Sequence, residues 1–306
     1  MKRISILFLA IFMALPAFSQ ALTTRQAYKD RYRLLVSKLG NDGVGIETLL
    51  NQWAEDYPDD LDMLLGKFSY YLAKSQSETV ERMDRSKYLG AGPALTLKDS
   101  LGNDVNYFQV TNFDDARFGL ATQAIDRAIG LNQNRLDLRF YKISALISYE
   151  KESPDMALSD LKALIDYQGV NHPRWEYPDM EVTDEVFAAS VQEYCYVFFR
   201  IGSPSSFEAF REISQKMLAY FPDNPVFQTN LGSYELVYKQ NNKAALKIYN
   251  KVLKKHPDDY PTIKNCVLLA RSDKNTKLEK KYLPMLIRTT TDEAEKAAAT
   301  ARLNAL

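Results

Sequence analysis

The sequence predicts an all-α fold, an α–α superhelix of stacked helical hairpins that carries one small β-hairpin insertion. Three observations point there: a helical packing template that recurs along the 306 residues, a helix-stop and helix-start signal in phase with it, and a composition that supports a folded core.

The template is a small residue followed by a large apolar residue four positions on and apolar residues seven and eight on. Ala121/Ile125/Ala128/Ile129, Ala157/Leu161/Leu164/Ile165 and Ala245/Tyr249/Val252/Leu253 carry it clearly. Ile46/Leu50/Trp53/Ala54, Phe210/Ser214/Met217/Leu218 and Glu279/Leu283/Leu286/Ile287 carry it in looser form. These offsets place four side chains on one helical stripe, and the small one lets a second helix approach closely. The starting positions 46, 121, 157, 210, 245 and 279 lie 75, 36, 53, 35 and 34 residues apart. Three of these intervals match the period of about 34 residues of stacked helix pairs. The other two exceed it by about 41 and about 19 residues, as insertions into a regular array would.

The punctuation is Tyr57-Pro58-Asp59-Asp60, Phe221-Pro222-Asp223-Asn224 and His256-Pro257-Asp258-Asp259, with each Pro 12 residues after the first position of a template copy. Proline cannot continue the preceding helix, and the Asp or Asn after it can accept the free N–H groups of the next helix. Twelve Gly, twelve Pro and 46% hydrophobic residues indicate a packed chain without a long disordered linker.

These residues resemble the tetratricopeptide repeat family, whose consensus places Leu-Gly in a first helix, then Ala, an aromatic, Ala and Pro at spacings of 4, 3 and 5. The best match is Asn230-Leu231-Gly232, Ala245, Tyr249, Val252 and Pro257, with an inter-helix segment one residue off consensus. A second, partial match is Leu65-Gly66 after Pro58, followed by Tyr70-Tyr71. The resemblance covers most of residues 42–290 and is strongest over 224–258. It implies a scaffold that holds an extended peptide on a concave face lined by first-helix side chains.

From the N-terminus onward, Lys2 and Arg3, the apolar run Ile4 to Leu15 and the small-residue pattern Ala17-Phe18-Ser19 read as a secretory signal over residues 1–19. The run is shorter than the roughly 20 residues a bilayer requires. A single repeat domain over 20–306 is expected, free of the membrane, in the periplasm or outside the cell. Helices are expected at 24–39, 43–56, 60–75, 113–131, 135–150, 154–167, 181–201, 204–220, 224–240, 243–255, 260–271, 275–288 and 291–304, with Pro284 kinking the penultimate one and the last closing the array. The first insertion, about 76–112, reads as a β-hairpin of Ala94–Leu97 and Val105–Phe108 around a Gly-containing loop. The second, about 168–180, holds His172-Pro173-Arg174-Trp175-Glu176-Tyr177-Pro178.

Charge argues against nucleic acid as a partner: without Lys2 and Arg3, 37 basic residues (39 − 2) face 39 acids, mixed along the chain. No motif in the sequence assembles a nucleophile, base or metal set, so a non-catalytic protein without cofactor or metal is expected. His172 and His256, the only histidines, each precede Pro at a turn. Asp59/Asp60/Asp62 and Asp114/Asp115 sit where helix capping explains them. Cys195 and Cys266 fall inside apolar helical patterns and read as buried free thiols, with pairing in an oxidising compartment as the alternative.

The expected partner is a protein or peptide of the cell envelope. Asn230 and Asn265 recur one 35-residue period apart, Lys142 falls at the equivalent place two template copies upstream, and Tyr234 and Tyr238 follow Asn230 at four-residue steps. Polar groups repeated in phase can bond a peptide backbone or carboxylate; solvated helix faces and core aromatics are the blander alternatives. Trp175, with Tyr177 and Tyr107, supports a second reading, a carbohydrate-handling module built on the insertions. The aromatic segment Phe187 to Phe199 is expected to lie beneath the second insertion, with partner docking as the alternative.

Overall fold

The computed structural model describes residues 24–306, so the expected signal segment lies outside the described residues. Thirteen helices follow: α1 (Arg25–Leu39), α2 (Ile46–Asp56), α3 (Leu61–Ser75), α4 (Asp115–Leu131), α5 (Leu136–Glu150), α6 (Asp155–Asn171), α7 (Asp184–Ile201), α8 (Pro204–Tyr220), α9 (Pro225–Val237), α10 (Asn242–Lys255), α11 (Tyr260–Ser272), α12 (Thr276–Thr289) and α13 (Glu293–Asn304). Three strands, β1 (Gln76–Met83), β2 (Leu95–Lys98) and β3 (Asp104–Phe113), stand between α3 and α4. Every expected helix is present, and α12 runs on through Pro284.

Consecutive helices pair into antiparallel hairpins, α1/α2 through α11/α12, and each second helix packs on the next first helix except at α6, which packs on α8. The template explains the packing. Ala121, Ile125 and Ala128 of α4, Ala157, Leu161 and Ile165 of α6, and Ala245, Tyr249 and Val252 of α10 are all fully buried. α13 packs on α12 and closes the stack.

Each Pro-Asp signal has two roles. Its second acidic or amide residue caps the next helix: Asp60 accepts from Met63 N–H, Asn224 from Val226 and Asp259 from Thr262, each at 3.0 Å. Its first Asp pairs with a basic residue of the following second helix, Asp59 with Arg127 at 2.6 Å, Asp223 with Lys255 at 2.5 Å and Asp258 with Arg288 at 2.5 Å. The signal thus ends one helix, starts another and ties adjacent hairpins. Asp114 likewise caps α4 through Arg117 N–H.

The first insertion contains the expected hairpin, as β2 and β3, and one strand more. It is a three-stranded antiparallel sheet of order β1-β3-β2, in which β3 pairs with β1 from Gln76↔Phe113 to Met83↔Asn106 and with β2 from Leu95↔Tyr107 to Lys98↔Asp104. β1 has no hydrophobic alternation because all but Met83 of it is exposed, so the pattern that betrays a half-buried strand is missing. The sheet lies along the turns that join first to second helices. Phe108 and Val110 are buried on its inner face, Arg85 pairs with Glu152 at 2.6 Å, Lys151 Nζ reaches Asn112 at 3.3 Å and the loop at Gly90 abuts the Arg200 carbonyl. The second insertion is displaced along the chain, since α6 continues to Asn171 and α7 begins at Asp184, leaving 172–183 as the loop.

Candidate partner-binding surface

The side chains singled out in the sequence do not form one site. Asn230, which is only 7% exposed, donates to Gln192 Oε1 at 2.7 Å and Ser214 Oγ at 3.2 Å, and accepts from Gln192 Nε2 at 3.3 Å. Asn265 donates to Ser233 Oγ at 3.2 Å. The hydroxyls of Thr229 and Thr262 bond each other nearby. The Asn pair therefore lies in phase, as read, but it joins first helices sideways: α7 to α9, and α9 to α11.

Tyr234 is buried and its hydroxyl donates to Glu208 at 2.6 Å; desolvation, then that carboxylate, push its pKa up to about 12. Tyr238 stacks on Phe207 with ring centroids 5.0 Å apart. Lys142 bridges Asp126 of α4 and Asp160 of α6 at 2.8 and 2.9 Å.

Trp175 is buried, against the exposed aromatic that a sugar platform would require. Its Nε1 donates to Gln168 at 2.5 Å, its ring lies parallel to Phe187 with centroids 6.3 Å apart, and the Arg139 guanidinium covers it at 5.6 Å. Trp175 fills the space between α6 and α7 that the extra length of chain opens, which places Phe187 beneath the insertion as expected. The loop is anchored where Leu136 N–H donates to the Glu176 carbonyl at 3.0 Å and Glu176 N–H to that of Asn134 at 2.8 Å. An open cleft of about 1000 Å³ lies beside it, lined by Asn134, Arg135, Arg174, Glu176, Tyr177 and Met180. Its Arg135 is engaged by Asp137 at 2.8 and 2.7 Å.

What remains open is the free side of the first helices. α5 presents Tyr141, Ser144 and Ser148, α7 presents Glu193 and Tyr196, and α11 presents Leu268, all exposed, while Lys264 one turn before Leu268 is paired with Glu295 of α13 at 2.9 Å. Tyr196, at 56%, is the most exposed of the large apolar residues among them. These helices stand side by side: the Tyr194 hydroxyl of α7 donates to the Phe140 carbonyl of α5 at 3.2 Å, and the Asn and Thr contacts carry the row on to α11. Sequence reading missed Tyr141 and Leu268 because single apolar residues outside a core stripe carry no periodic signal; each follows one or two positions after a core residue.

Cys195 and Cys266 are buried free thiols, pushed up to about 12 by burial. Among the described residues, no three His, Cys, Asp or Glu side chains are placed to hold a metal ion, and no helix is long and apolar enough to cross a membrane.

No family model and no curated protein sequence matches the chain. Among solved structures it is similar to MamA 41-end from Desulfovibrio magneticus RS-1, at 15% identity and a TM-score of 0.34, over 76% of this chain and 96% of that one.

Proposed function

We propose that the chain is an exported, non-catalytic scaffold that holds a protein or extended peptide along the free side of α5, α7, α9 and α11. The observation that carries this reading is the row of exposed Tyr141, Tyr196 and Leu268 on helices that hydrogen bonds already join side by side. Such a row offers apolar anchors in a rigid frame, the arrangement that binds chains at low ordering cost. The first insertion stands along one rim of this face and extends it. Export rests on the charged start, apolar run and Ala17-Phe18-Ser19 pattern of the first 19 residues.

A photo-crosslinking side chain placed at Tyr196 in the producing cell should capture a discrete envelope protein, and the crosslinker-bearing chain in the adduct should begin near Gln20 by mass spectrometry. The same group at Lys251, exposed on the second-helix side, is the control. Equal adducts from both positions would overturn the assignment of the face; adducts on a chain that retains Met1 would overturn export.

A further inference from the structure

The free edge of β1 is built to pair with itself. In an antiparallel ladder the residues of a strand alternate between bonding one neighbour and facing away. Asp114 N–H donates to the Ser75 carbonyl at 2.7 Å, and the register that sets Gln76 opposite Phe113 sets Ser75 opposite Asp114. Odd-numbered residues of β1 therefore bond β3. The second ladder agrees: Asp99 N–H donates to the Asn103 carbonyl at 3.0 Å, so odd residues of β3 bond β2 and its even ones face β1. Gln76, Glu78, Val80 and Arg82 are left directing N–H and C=O groups outward along an exposed edge.

The side chains of Glu78, Val80 and Arg82 stand on the same face of the sheet as Leu95 and Leu97, which oppose Tyr107 and Val105. Val80 is 66% exposed, and Leu95 and Leu97 are exposed too. Among the described residues, Glu78 and Arg82 take part in no ion pair, and Glu78 accepts the Thr111 hydroxyl at 2.6 Å.

We propose that two copies of this chain associate through β1, antiparallel about a two-fold axis at Val80, to form a continuous six-stranded sheet. In this register Glu78 lies opposite Arg82 of the second copy, Val80 opposite Val80, and Arg82 opposite Glu78. Each of these three pairs uses the outward-facing backbone groups and can exchange two hydrogen bonds. The pattern satisfies the self-complementarity that a two-fold interface requires. The neighbouring registers with the same hydrogen-bond phase do not: centred on Thr79, Glu78 meets Val80 and the charges go unmatched; centred on Glu81, that carboxylate meets its own copy and Glu78 meets Asp84. Charged residues on an edge strand commonly block pairing, yet here their order, acid then base two residues either side of Val80, makes one antiparallel register favourable. The Val80, Tyr107, Leu95 and Leu97 side chains of both copies then share one face. The first-helix side of each copy stays open, so this association is independent of the function proposed above.

The whole chain, followed by sedimentation over the micromolar range, should show a monomer–dimer equilibrium. Val80→Pro removes one outward N–H without touching the β1–β3 ladder and should raise the dissociation constant at least about tenfold while leaving the helical circular dichroism unchanged. Glu78→Arg and Arg82→Glu should each weaken self-association similarly, and an equimolar mixture of the two should recover it, because the basic strand of one then faces the acidic strand of the other. A wild-type chain monomeric throughout that range, a dimer indifferent to Val80→Pro, or a mixture that associates no better than its components would overturn the proposal. Failure of Val80→Pro to fold would shift the decision to the charge variants, whose complementation reads the register directly.

Discussion

Glu279 shows how one residue can break a repeat's rule for a local reason. It stands where the three clear copies of the template have Ala, yet it is 1% exposed and held by Arg302 of α13 through two bonds of 2.8 and 2.9 Å, with Arg271 at 3.8 Å. The site faces the closing helix instead of another hairpin, and a carboxylate met by a fork of N–H donors substitutes for close helix approach. Hydrogen bonding by Arg302 holds its pKa below the ordinary 4.5. Because the folded value is depressed, its stabilisation is present above pH about 4.5 and is lost as pH falls below that. Glu279→Gln should cost about 1–2 kcal/mol near neutrality, and the gap in melting temperature from wild type should close in acid. Arg302→Ala should cost more, since it strands a buried carboxylate, and adding Glu279→Gln to it should recover part of the loss. Melting curves at pH 7 and pH 3 check both; a constant gap would mean that the pair contributes no pH-dependent stability.

At the scale of elements, the helices were legible in the sequence because their signals are local. A four-seven-eight stripe and a Pro-Asp stop read the same wherever the partner helix lies. β1 was not legible, since an edge strand exposed on both faces lacks a buried stripe and its partner sits some 30 residues downstream. The polar row was legible as a repeat and not as a place: in-phase Asn230 and Asn265 look alike in sequence whether they face a ligand or a neighbouring helix, and the neighbour, Gln192 or Ser233, lies outside the repeat's own motif. Trp175 reads as exposed in a turn-rich loop until α6 and α7 supply its walls. Helix contacts also decide what glycine does. A Cβ at Gly232 in α9 would overlap the Tyr249 ring of α10, whereas one at Gly119 in α4 would meet nothing within 4 Å. Helix propensity alone favours Ala by about 1 kcal/mol at both. Gly119→Ala should therefore raise the melting temperature, and Gly232→Ala should lower stability by about 1–3 kcal/mol through overpacking. Calorimetry on the two variants separates the effects, and a shift of the same sign in both would show that α9 and α10 do not meet at this glycine.

At the scale of the molecule, most buried apolar side chains of the helices fall into two clusters. One runs from Tyr28 through the hairpins to Tyr234; the other runs from Ala245 to Ala299. Hydrogen bonds cross between them, made by the Thr229 and Thr262 hydroxyls, Ser233 with the Tyr249 hydroxyl at 3.2 Å, and Asn265, beside the packing of Gly232 and Leu236 against the second cluster. Repeat arrays are stabilised chiefly between neighbours, so cooperativity is weakest where an interface exchanges apolar area for hydrogen bonds. The first insertion reinforces this division, because it braces the hairpins from α3 to α7 and leaves the C-terminal ones unbraced. Helices α10 to α13 should accordingly open as a unit before α2 to α8. Hydrogen exchange followed by mass spectrometry in mild urea should show the peptides of α10 to α13 sharing one opening free energy below the global value. The variant Ala245→Glu, which places a charge at a fully buried position of the smaller cluster, should lower that value and leave the exchange of α4 to α6 unchanged. Uniform loss of protection from α2 to α13 in this variant would show instead that the polar seam transmits unfolding and that the array is one cooperative unit.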